Sequence, residues 1–294
     1  QGQAAFVPTS HVVRFQLWGQ AYHQTRRTLL TQTLHLLSQL DRLWPGLVVN
    51  VPRFRRAHPD LEPPTPLVLS KPLQRQRVRA LLEHCPNPYD FLALGPDGIQ
   101  TFYRTHLGRC GPTTARQAYQ LLQNALLPPP DIAALLAERL RCDFASFLAL
   151  EERLSTLTAQ AETLVPDSPA QVLVSIPGVS PLLAARYLAL LGHPQRFLSP
   201  SEVWAFAGFD LVHQESGDFR RTGHITKKGN PSLRDTLYLI GFHTAQHVPA
   251  IAQARQRALK RGLGKVGATL HAAHKANRLC HHLLYHQRPF DPDR

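Results

Sequence analysis

Apolar residues recur at helical spacing along two long segments of the chain. In residues 14–43 they follow at intervals of three and four until Pro45-Gly46 ends the run. The same spacing returns in residues 131–164, after three consecutive prolines and with Asp131 in the place of an N-cap. The pattern therefore predicts two long amphipathic helices.

The second segment also carries a narrower apolar seam with an alternating three-four spacing. This spacing is typical of a coiled coil, but the seam spans fewer than three heptads. An ordinary stripe that faces the protein's own core fits it equally well. We expect a homo-oligomer that pairs through this seam, with the core-facing stripe as the alternative. The seam consists of Phe147, Leu150, Leu154, Leu157, Ala161 and Leu164.

The rest of the pattern is that of short helices separated by proline and glycine. Residues 51–72 are rich in Pro and Arg, as connectors are, and residues 73–127 predict several short helices. Prolines in residues 166–169 precede a compact C-terminal domain, in which a short β-hairpin within residues 210–225 interrupts the helices. Those helices are predicted at 181–191, 199–207, 232–246, 251–261 and 266–286.

The sequence as a whole predicts a mainly α protein in four segments. They are a long amphipathic helix (1–48), a linker with short helices (49–130), a coiled-coil-like helix (131–166) and a C-terminal domain (167–294). No methionine is present. We therefore expect the chain to be the downstream piece of a longer protein or to have a trimmed start.

Composition favours a cytoplasmic protein that binds a polyanion. No segment approaches the ~18 consecutive apolar residues of a membrane span, and no secretory signal is present, so we expect no membrane partner. The four cysteines are scattered and predict reduced, mostly buried thiols rather than a zinc or disulfide framework. The net charge of +13 indicates a phosphate-rich partner. Most basic residues are arginine, which a GC-rich genome also produces, so the placement of charge decides more than its total.

The first motif with chemical meaning begins at Val174 with the letters VSIPGVSP and continues into an Ala-rich helix. Gly178 permits a tight hairpin, and Pro181 suits the first turn of a helix. This order is typical of a helix-hairpin-helix element, in which exposed amides near Gly178 and Ser180 hold a DNA phosphate without reading base sequence. The alternative is a plain helical turn.

The second motif, residues 215–231, concentrates positive charge in a glycine-rich loop. Glycine backbone lets phosphates approach closely, and basic side chains neutralise them. Asn230-Pro231 then begins a helix, whose N-terminus favours anions. A solvated basic loop is the alternative. The residues expected to bind nucleic acid are Arg220, Arg221, Lys227, Lys228, Asn230 and Arg234.

Two further features give weaker signals. Ser216 lies at the edge of the basic loop, where cations would support its attack on a phosphodiester, but no activating base is evident and Ser-Gly is a common turn dipeptide. Histidines between His271 and His286 have spacings that suit a metal, yet Lys275 and Arg278 lie among them and would repel a cation. We interpret this segment as a basic helical face and assign no metal site.

Taken in order, these motifs resemble the C-terminal transposase domain of the insertion-sequence 110/116/902 family, the serine transposases also described as bridge-RNA-guided recombinases. Nearly the whole chain takes part in the resemblance. Residues 175–192 resemble the family's hairpin segment, and 196–208 its next helix. Residues 215–217 resemble the motif of its nucleophilic serine, and 227–234 its basic loop and following helix. Residues 26–46 resemble the long helix after the family's first domain.

The resemblance implies a DNA transposase or recombinase that cleaves and joins strands. In the family, the serine attacks a DNA phosphodiester and becomes joined to the strand, which makes Ser216 the expected nucleophile. A structured guide RNA selects the DNA sites, and subunits pair through a coiled coil. DNA, a guide RNA and a second copy are therefore the expected partners. A non-catalytic DNA- or RNA-binding protein derived from a transposase is the alternative.

The family also has a RuvC-like N-terminal domain, in which four acidic residues bind divalent metal. No counterpart precedes Arg14 in the sequence. We therefore expect no cofactor in this chain itself, and Mg²⁺ only together with that domain. We expect a C-terminal portion of the protein, with little or no transposition activity by itself.

Overall fold

The computed structural model describes residues 10–47, 55–57, 59–60, 70–210, 214–216, 219–221 and 228–292. It confirms a mainly α protein, in which the strands found among these residues form one two-stranded antiparallel hairpin. Short 3-10 helices occur at Pro72–Gln74 and Pro194–Arg196. The other elements are α1 (Ser10–Leu43), α2 (Gln76–His84), α3 (Pro88–Ala93), α4 (Gly95–Leu107), α5 (Pro112–Gln123), α6 (Pro130–Leu164), α7 (Gln171–Val174), α8 (Pro181–Leu191), α9 (Pro200–Phe206), β1 (Gln214–Ser216), β2 (Phe219–Arg221), α10 (Pro231–Thr244), α11 (Pro249–Lys260) and α12 (Lys265–His286).

Both long helices form where the apolar spacing predicts them. α1 begins at Ser10, before the predicted start at Arg14, and ends at Leu43 as predicted. α6 begins at Pro130, so the prediction that Asp131 is the N-cap is wrong, and Asp131 lies in the first turn instead. Its carboxylate still interacts favourably there with the positive end of the helix dipole.

The chain folds into two compact units, and each long helix contributes residues to both. We call Thr25–Arg153 the central unit, and Gln1–Gln24 together with Leu154–Arg294 the terminal unit. The four-segment division drawn from the sequence stays a prediction. Most of the proposed connector at 51–72 lies outside the described residues.

The central unit packs around buried aromatic rings. Trp44 and Tyr103 are almost completely buried. The Trp44 indole donates a 2.8 Å hydrogen bond to the Pro86 carbonyl, which satisfies its only polar atom. Nη2 of Arg79 donates to both carboxylate oxygens of Glu151, at 2.7 and 2.9 Å. These contacts hold the short helices against residues of α1 and α6 that belong to this unit.

Close contacts between helix backbones build the terminal unit. Gly241 on α10 lies against Ala273 on α12, where a Cβ at Gly241 would be only 2.4 Å from the Ala273 nitrogen. Gly19 on α1 lies in the same way against Ala189 on α8, with 2.6 Å to the Ala189 Cβ. Small residues let these helices approach closely, so apolar side chains on either side interdigitate in one core.

The apolar seam of α6 faces the interior of this chain. Phe147 is buried in the core of the central unit, and Leu157 and Ala161 are buried in the core of the terminal unit. The Leu157 carbonyl also accepts a 2.8 Å hydrogen bond from the indole of Trp18 on α1. The core-facing alternative therefore describes these three positions. Pairing of two chains through a coiled coil stays a prediction.

Side chains cap the N-termini of three helices of the terminal unit. Ser180, Ser199 and Asn230 accept backbone N–H groups at the starts of α8, α9 and α10, and proline follows each of them. Both features are typical of helix N-termini because they satisfy or remove donors that the helix leaves unpaired. α8 has the predicted bounds, and the other predicted helices of this region differ by one or two residues at their ends.

The described residues include all four cysteines, and each of them is free. Cys110 and Cys280 are buried and Cys85 is half-buried, whereas Cys142 is exposed and departs from the predicted burial. Burial raises the pKa of the Cys280 thiol to about 12 and that of Cys85 to about 11. These two thiols therefore stay protonated and unreactive near neutral pH. None of the described helices has the length and apolar character needed to cross a membrane.

Candidate functional site

The predicted nucleophile lies on the β-hairpin. β1 pairs antiparallel with β2, and the register sets Ser216 opposite Phe219 and Glu215 opposite Arg220. This hairpin lies within the predicted residues 210–225. The backbone thereby places Ser216, Arg220 and Arg221 in one small element, while Lys227 lies outside the described residues.

Two glycines bring the flanks of the hairpin segment together. A Cβ on Gly229, just before α10, would lie 2.5 Å from the nitrogen of Gly208, just after α9. Gly208 also has a φ of 75°, in the left-handed region that favours glycine. Side chains at these two positions would therefore push the backbones apart. We call this contact between residues 206–208 and 228–230 the loop base.

Hydrogen bonds hold the loop base closed. The Asn230 N–H donates to the Phe206 carbonyl at 2.8 Å, and Nη1 of Arg234 donates to the Ala207 carbonyl at 2.8 Å. A guanidinium has five N–H donors, so this bond leaves Arg234 with donors for a phosphate. Lys228 is exposed at the same place. Two predicted nucleic-acid-binding side chains are thus brought together where the segment that carries the hairpin closes.

The start of α10 satisfies its own amides. Oδ1 of Asn230 accepts the N–H groups of Ser232 and Leu233, both at 3.0 Å. An anion at this helix N-terminus would need the same amides. In this conformation, a phosphate at the loop base would meet the side chains of Lys228 and Arg234 rather than these amides, and their role in binding stays a prediction. A direct role for Asn230 in nucleic-acid binding stays a prediction.

The glycine-proline hairpin lies at the opposite end of α10. Gly178 has a φ of 94°, and a Cβ there would be 2.9 Å from the carbonyl of His243. The Ser180 hydroxyl caps α8, and the preceding helix, α7, is a single turn. His243 is about 20 Å along α10 from Asn230. The two predicted DNA-contact motifs are therefore not brought together, and the roles of Gly178 and Ser180 stay predictions.

An ion pair between a buried arginine and a partly exposed aspartate supports the first turns of α10. Arg186 on α8 is 2% exposed, and its Nη2 donates to Oδ2 of Asp235 at 2.7 Å. Its guanidinium also lies 5.6 Å from the ring centroid of Tyr22. Removing the Asp235 carboxylate would leave the buried guanidinium charge without this partner, a loss that costs up to about 3–5 kcal/mol when both partners are buried and less where one is exposed. The sequence pattern does not predict this pair, although an arginine within an apolar helical run is a signal of a buried partner.

An aromatic stack adjoins the loop base. Trp204 stacks on Phe209 at 4.1 Å between ring centroids and meets His274 of α12 edge-on at 4.9 Å. Desolvation, and then the positive charges of Arg278 and His271, lower the pKa of His274. The sequence does not predict this stack, because His274 lies far along the chain from Trp204 and Phe209.

The C-terminal histidines do not form a metal site in the described residues. No three His, Cys, Asp or Glu side chains in that part of the chain are grouped so as to hold a metal ion. His281 is buried, and its Nε2 lies 2.9 Å from the Phe197 carbonyl oxygen. The other histidines from His271 to His286 are exposed. Most of the predicted basic face is thus at the surface.

Comparison with known proteins points to transposases. Residues 170–257 match the family described as Transposase IS116/IS110/IS902. An uncharacterized 44.8 kDa protein of insertion element IS116 from Streptomyces clavuligerus is 34% identical over 107 residues, which are 35% of this chain and 26% of that protein.

Two Streptomyces coelicolor proteins are also similar. An uncharacterized 43.6 kDa protein of insertion element IS110 is 26% identical over 219 residues, or 74% of this chain and 52% of that protein. The mini-circle putative transposase for IS117 is 29% identical over 126 residues, or 42% of this chain and 30% of that protein. The chain thus spans about half the length of these relatives at most. The matches support a similarity to this family, most directly for residues 170–257.

Proposed function

We propose that this chain supplies the serine nucleophile of a DNA transposase and that Ser216 attacks a DNA phosphodiester during strand cleavage and joining. One observation carries the proposal: Ser216 ends β1 on a hairpin whose flanks meet at the loop base, within the range that matches the transposase family. A closed loop base limits how far the hairpin can move from α10. Nucleophilic attack depends on such restraint, because most of its advantage comes from orientation.

The proposed step is a transesterification. Oγ of Ser216 bonds to phosphorus, and the bond from phosphorus to the leaving deoxyribose oxygen breaks. The serine proton passes to water and the leaving oxygen takes one up, so the number of phosphodiester bonds is conserved and no oxidant or nucleoside triphosphate is consumed. Joining runs the same step in reverse with a new strand hydroxyl.

Positive charge is the contribution of the neighbouring residues. The attacked phosphate gains negative charge as the fifth oxygen bonds, and fixed cations lower the energy of that state. Lys228 and Arg234 at the loop base, with Arg220 and Arg221 on β2, are the side chains to which we assign this role. No step is assigned to a metal, because the described residues offer no group that fits one.

Trapping the covalent intermediate tests the proposal. The chain is supplied with the RuvC-like N-terminal domain that the resemblance implies, and it is incubated with Mg²⁺, guide RNA and labelled duplex DNA that carries insertion-element ends and a nick that lets the leaving strand diffuse away. We expect a protein–DNA adduct that survives denaturing electrophoresis and is absent with Ser216→Ala. Ser201→Ala, at an exposed position on α9, is the matched control and keeps the adduct.

Two results would count against the proposal. An adduct that persists in Ser216→Ala rules out this serine as the nucleophile. DNA binding without any adduct in the unaltered chain favours the alternative, a DNA- or RNA-binding protein without chemistry.

A guide RNA and a second copy of the chain are the partners we propose beside DNA. Exposed leucines support the second copy: Leu30 and Leu34 on α1 are 62% and 61% exposed, and Leu135 on α6 is 71% exposed. Burying such side chains against a partner is favourable by about 1.5–3 kcal/mol each. We expect sedimentation of the intact chain to show an oligomer that Leu30→Glu/Leu34→Glu dissociates. A monomer at micromolar concentration, or an oligomer indifferent to these changes, contradicts this.

A further inference from the structure

The last helix of the fold has one apolar face and one basic face. Its buried face packs into the core of the terminal unit through Ala272, Ala273, Ala276, Cys280, Leu283 and Leu284. Six exposed residues lie on the other side, and apart from two adjacent members they follow at intervals of three and four, so they line one face over a length of about 22 Å. We call them the α12 stripe: His271, His274, Lys275, Arg278, His282 and His286.

The sequence on both sides of the α12 stripe lacks acidic residues. Although the protein has 20 acidic residues among 294, none occurs between Asp235 and Asp291. Within the described residues, the ion pairs found do not include Lys275 or Arg278. Like charges three or four residues apart destabilise a helix slightly. A helix that carries them without acidic partners gains stability when an anion binds.

The α12 stripe adjoins the candidate site within the terminal unit. His274 is one of its six members and meets the ring of Trp204 edge-on. Trp204 stacks in turn on Phe209, which directly follows the loop base. Two ring contacts therefore connect the stripe to the segment that carries Ser216. A polyanion bound along the stripe would pass the end of α9, from which the chain leads to the hairpin.

We propose that the α12 stripe binds the sugar-phosphate backbone of duplex DNA next to the point of cleavage. This inference rests on the proposed function and deepens it, because it assigns the surface that holds the flanking duplex. Duplex DNA carries a regular row of phosphates, and the stripe's length equals the rise of about six base pairs. Lysine, arginine and imidazole N–H groups donate to phosphate oxygens and fix position without reading bases.

The salt dependence of DNA binding tests the proposal. Anisotropy of a labelled duplex is measured from 50 to 300 mM KCl with the intact chain and with Lys275→Gln/Arg278→Gln. We expect affinity to fall about tenfold at low salt for every duplex sequence, and the slope of log affinity against log salt to become shallower by about two. Arg42→Gln/Arg116→Gln, which removes the same charge from exposed positions of the central unit, should leave the slope within experimental error.

A charge-preserving variant separates charge from folding. Lys275→Arg/Arg278→Lys keeps both cations and should bind like the unaltered chain. Loss of affinity in this variant, an unchanged slope in the glutamine variant, or equal losses in the stripe and control variants would each overturn the proposal.

Other anionic ligands are separated by parallel measurements. Duplex RNA and vesicles with a high content of anionic lipid are titrated under the same conditions. If the glutamine variant weakens binding to either of them while duplex DNA binding is unchanged, the stripe serves another partner and the proposal is wrong. The serine is tested independently, since Ser216→Ala should leave the salt slope intact. Loss of the adduct with an intact slope therefore counts only against the catalytic assignment.

Discussion

Adding one methyl group at Gly229 tests whether the loop base is a fixed part of the fold. In Gly229→Ala, the new Cβ would lie 2.5 Å from the Gly208 nitrogen, 2.6 Å from the Phe206 carbonyl oxygen and 2.8 Å from the Gly208 Cα. All three atoms belong to the backbone, so no side chain can rotate away. Ordinary contact is about 3.5 Å, and the two segments must therefore separate by roughly 1 Å.

The expected cost follows from the bonds that such a separation breaks. The hydrogen bond from the Asn230 N–H to Phe206, now 2.8 Å long, would exceed hydrogen-bond range, and so would the one from Arg234 to Ala207. The first contributes about 1 kcal/mol, and the second, from a charged donor, about 2 kcal/mol. We expect the free energy of unfolding to fall by about 3 kcal/mol. The loss in the free energy of unfolding cannot exceed the free energy needed to open the loop base, because the variant can relieve the clash by opening it.

Urea unfolding followed by tryptophan fluorescence measures this loss, and hydrogen exchange at the Asn230 amide locates it. Gly267→Ala on α12 is the matched control, because its nearest neighbour is the flexible Leu263 side chain at 3.4 Å. That variant should be more stable by about 0.5–1 kcal/mol, since alanine favours a helix interior. Gly229→Ala with unchanged stability and a protected Asn230 amide would refute the reasoning.

Three further predictions concern two cysteines, one histidine and one glycine at a close helix contact. Iodoacetamide near pH 8 should label Cys142 in the folded chain but Cys280 only after unfolding, because burial keeps the pKa of Cys280 near 12; equal labelling by mass spectrometry would contradict this. The folded-state pKa of His274 is below its unfolded value, so the unfolded state binds more protons and stability falls as the pH drops below about 6.5. The drop in urea midpoint from pH 7.5 to 5.5 should therefore be smaller in His274→Gln, and an equal drop would count against it. Gly241→Ala should lower the melting temperature by several degrees, since its Cβ would meet the Ala273 backbone at 2.4 Å, and an unchanged melting temperature would disprove that contact.

Local patterns predicted the helices well because a helix is specified by residues three and four apart. α8 begins and ends as expected, since Ser180 and Pro181 define its start and Gly192 follows its end. The start of α6 was misplaced by one residue, because Asp131 suits the first turn as well as the N-cap. Such errors at helix ends are small, and the position of each core-facing stripe survives them.

The contacts that shape the candidate site join residues far apart in the chain. The spacing of apolar residues within one helix therefore does not predict them. In the sequence, nothing distinguishes Gly208 and Gly229 from other glycines, yet in the structure each leaves room for the backbone of the other. Arg186 interrupts an apolar run without indicating that Asp235 is its partner. Trp204 gave no sign that His274 would lie against it. Predicting them requires the packing of α8, α9, α10 and α12, which follows from the whole fold.

Ser216 differs from these cases because the chemistry of its neighbours did not single it out. A serine beside glycine in a basic loop is common, and no residue nearby is an evident base. The assignment came from resemblance to a family, and the structure adds the backbone context of a hairpin closed at its base. The structure therefore supports the proposal through the position of Ser216 on this hairpin. Detection of the covalent adduct tests whether Ser216 is the nucleophile.

The position of the basic residues along the chain is more informative about the partner than the net charge is. A net charge of +13 made mostly of arginine fits many proteins and many partners. The absence of carboxylates between Asp235 and Asp291 concerns one continuous stretch, and α12 turns part of it into a row on one exposed face. The α12 stripe, with two cations and four imidazoles spread over about 22 Å, matches a row of phosphates better than it matches a compact anion. Duplex DNA along α12 therefore explains the sequence bias and the geometry together, which net charge alone does not.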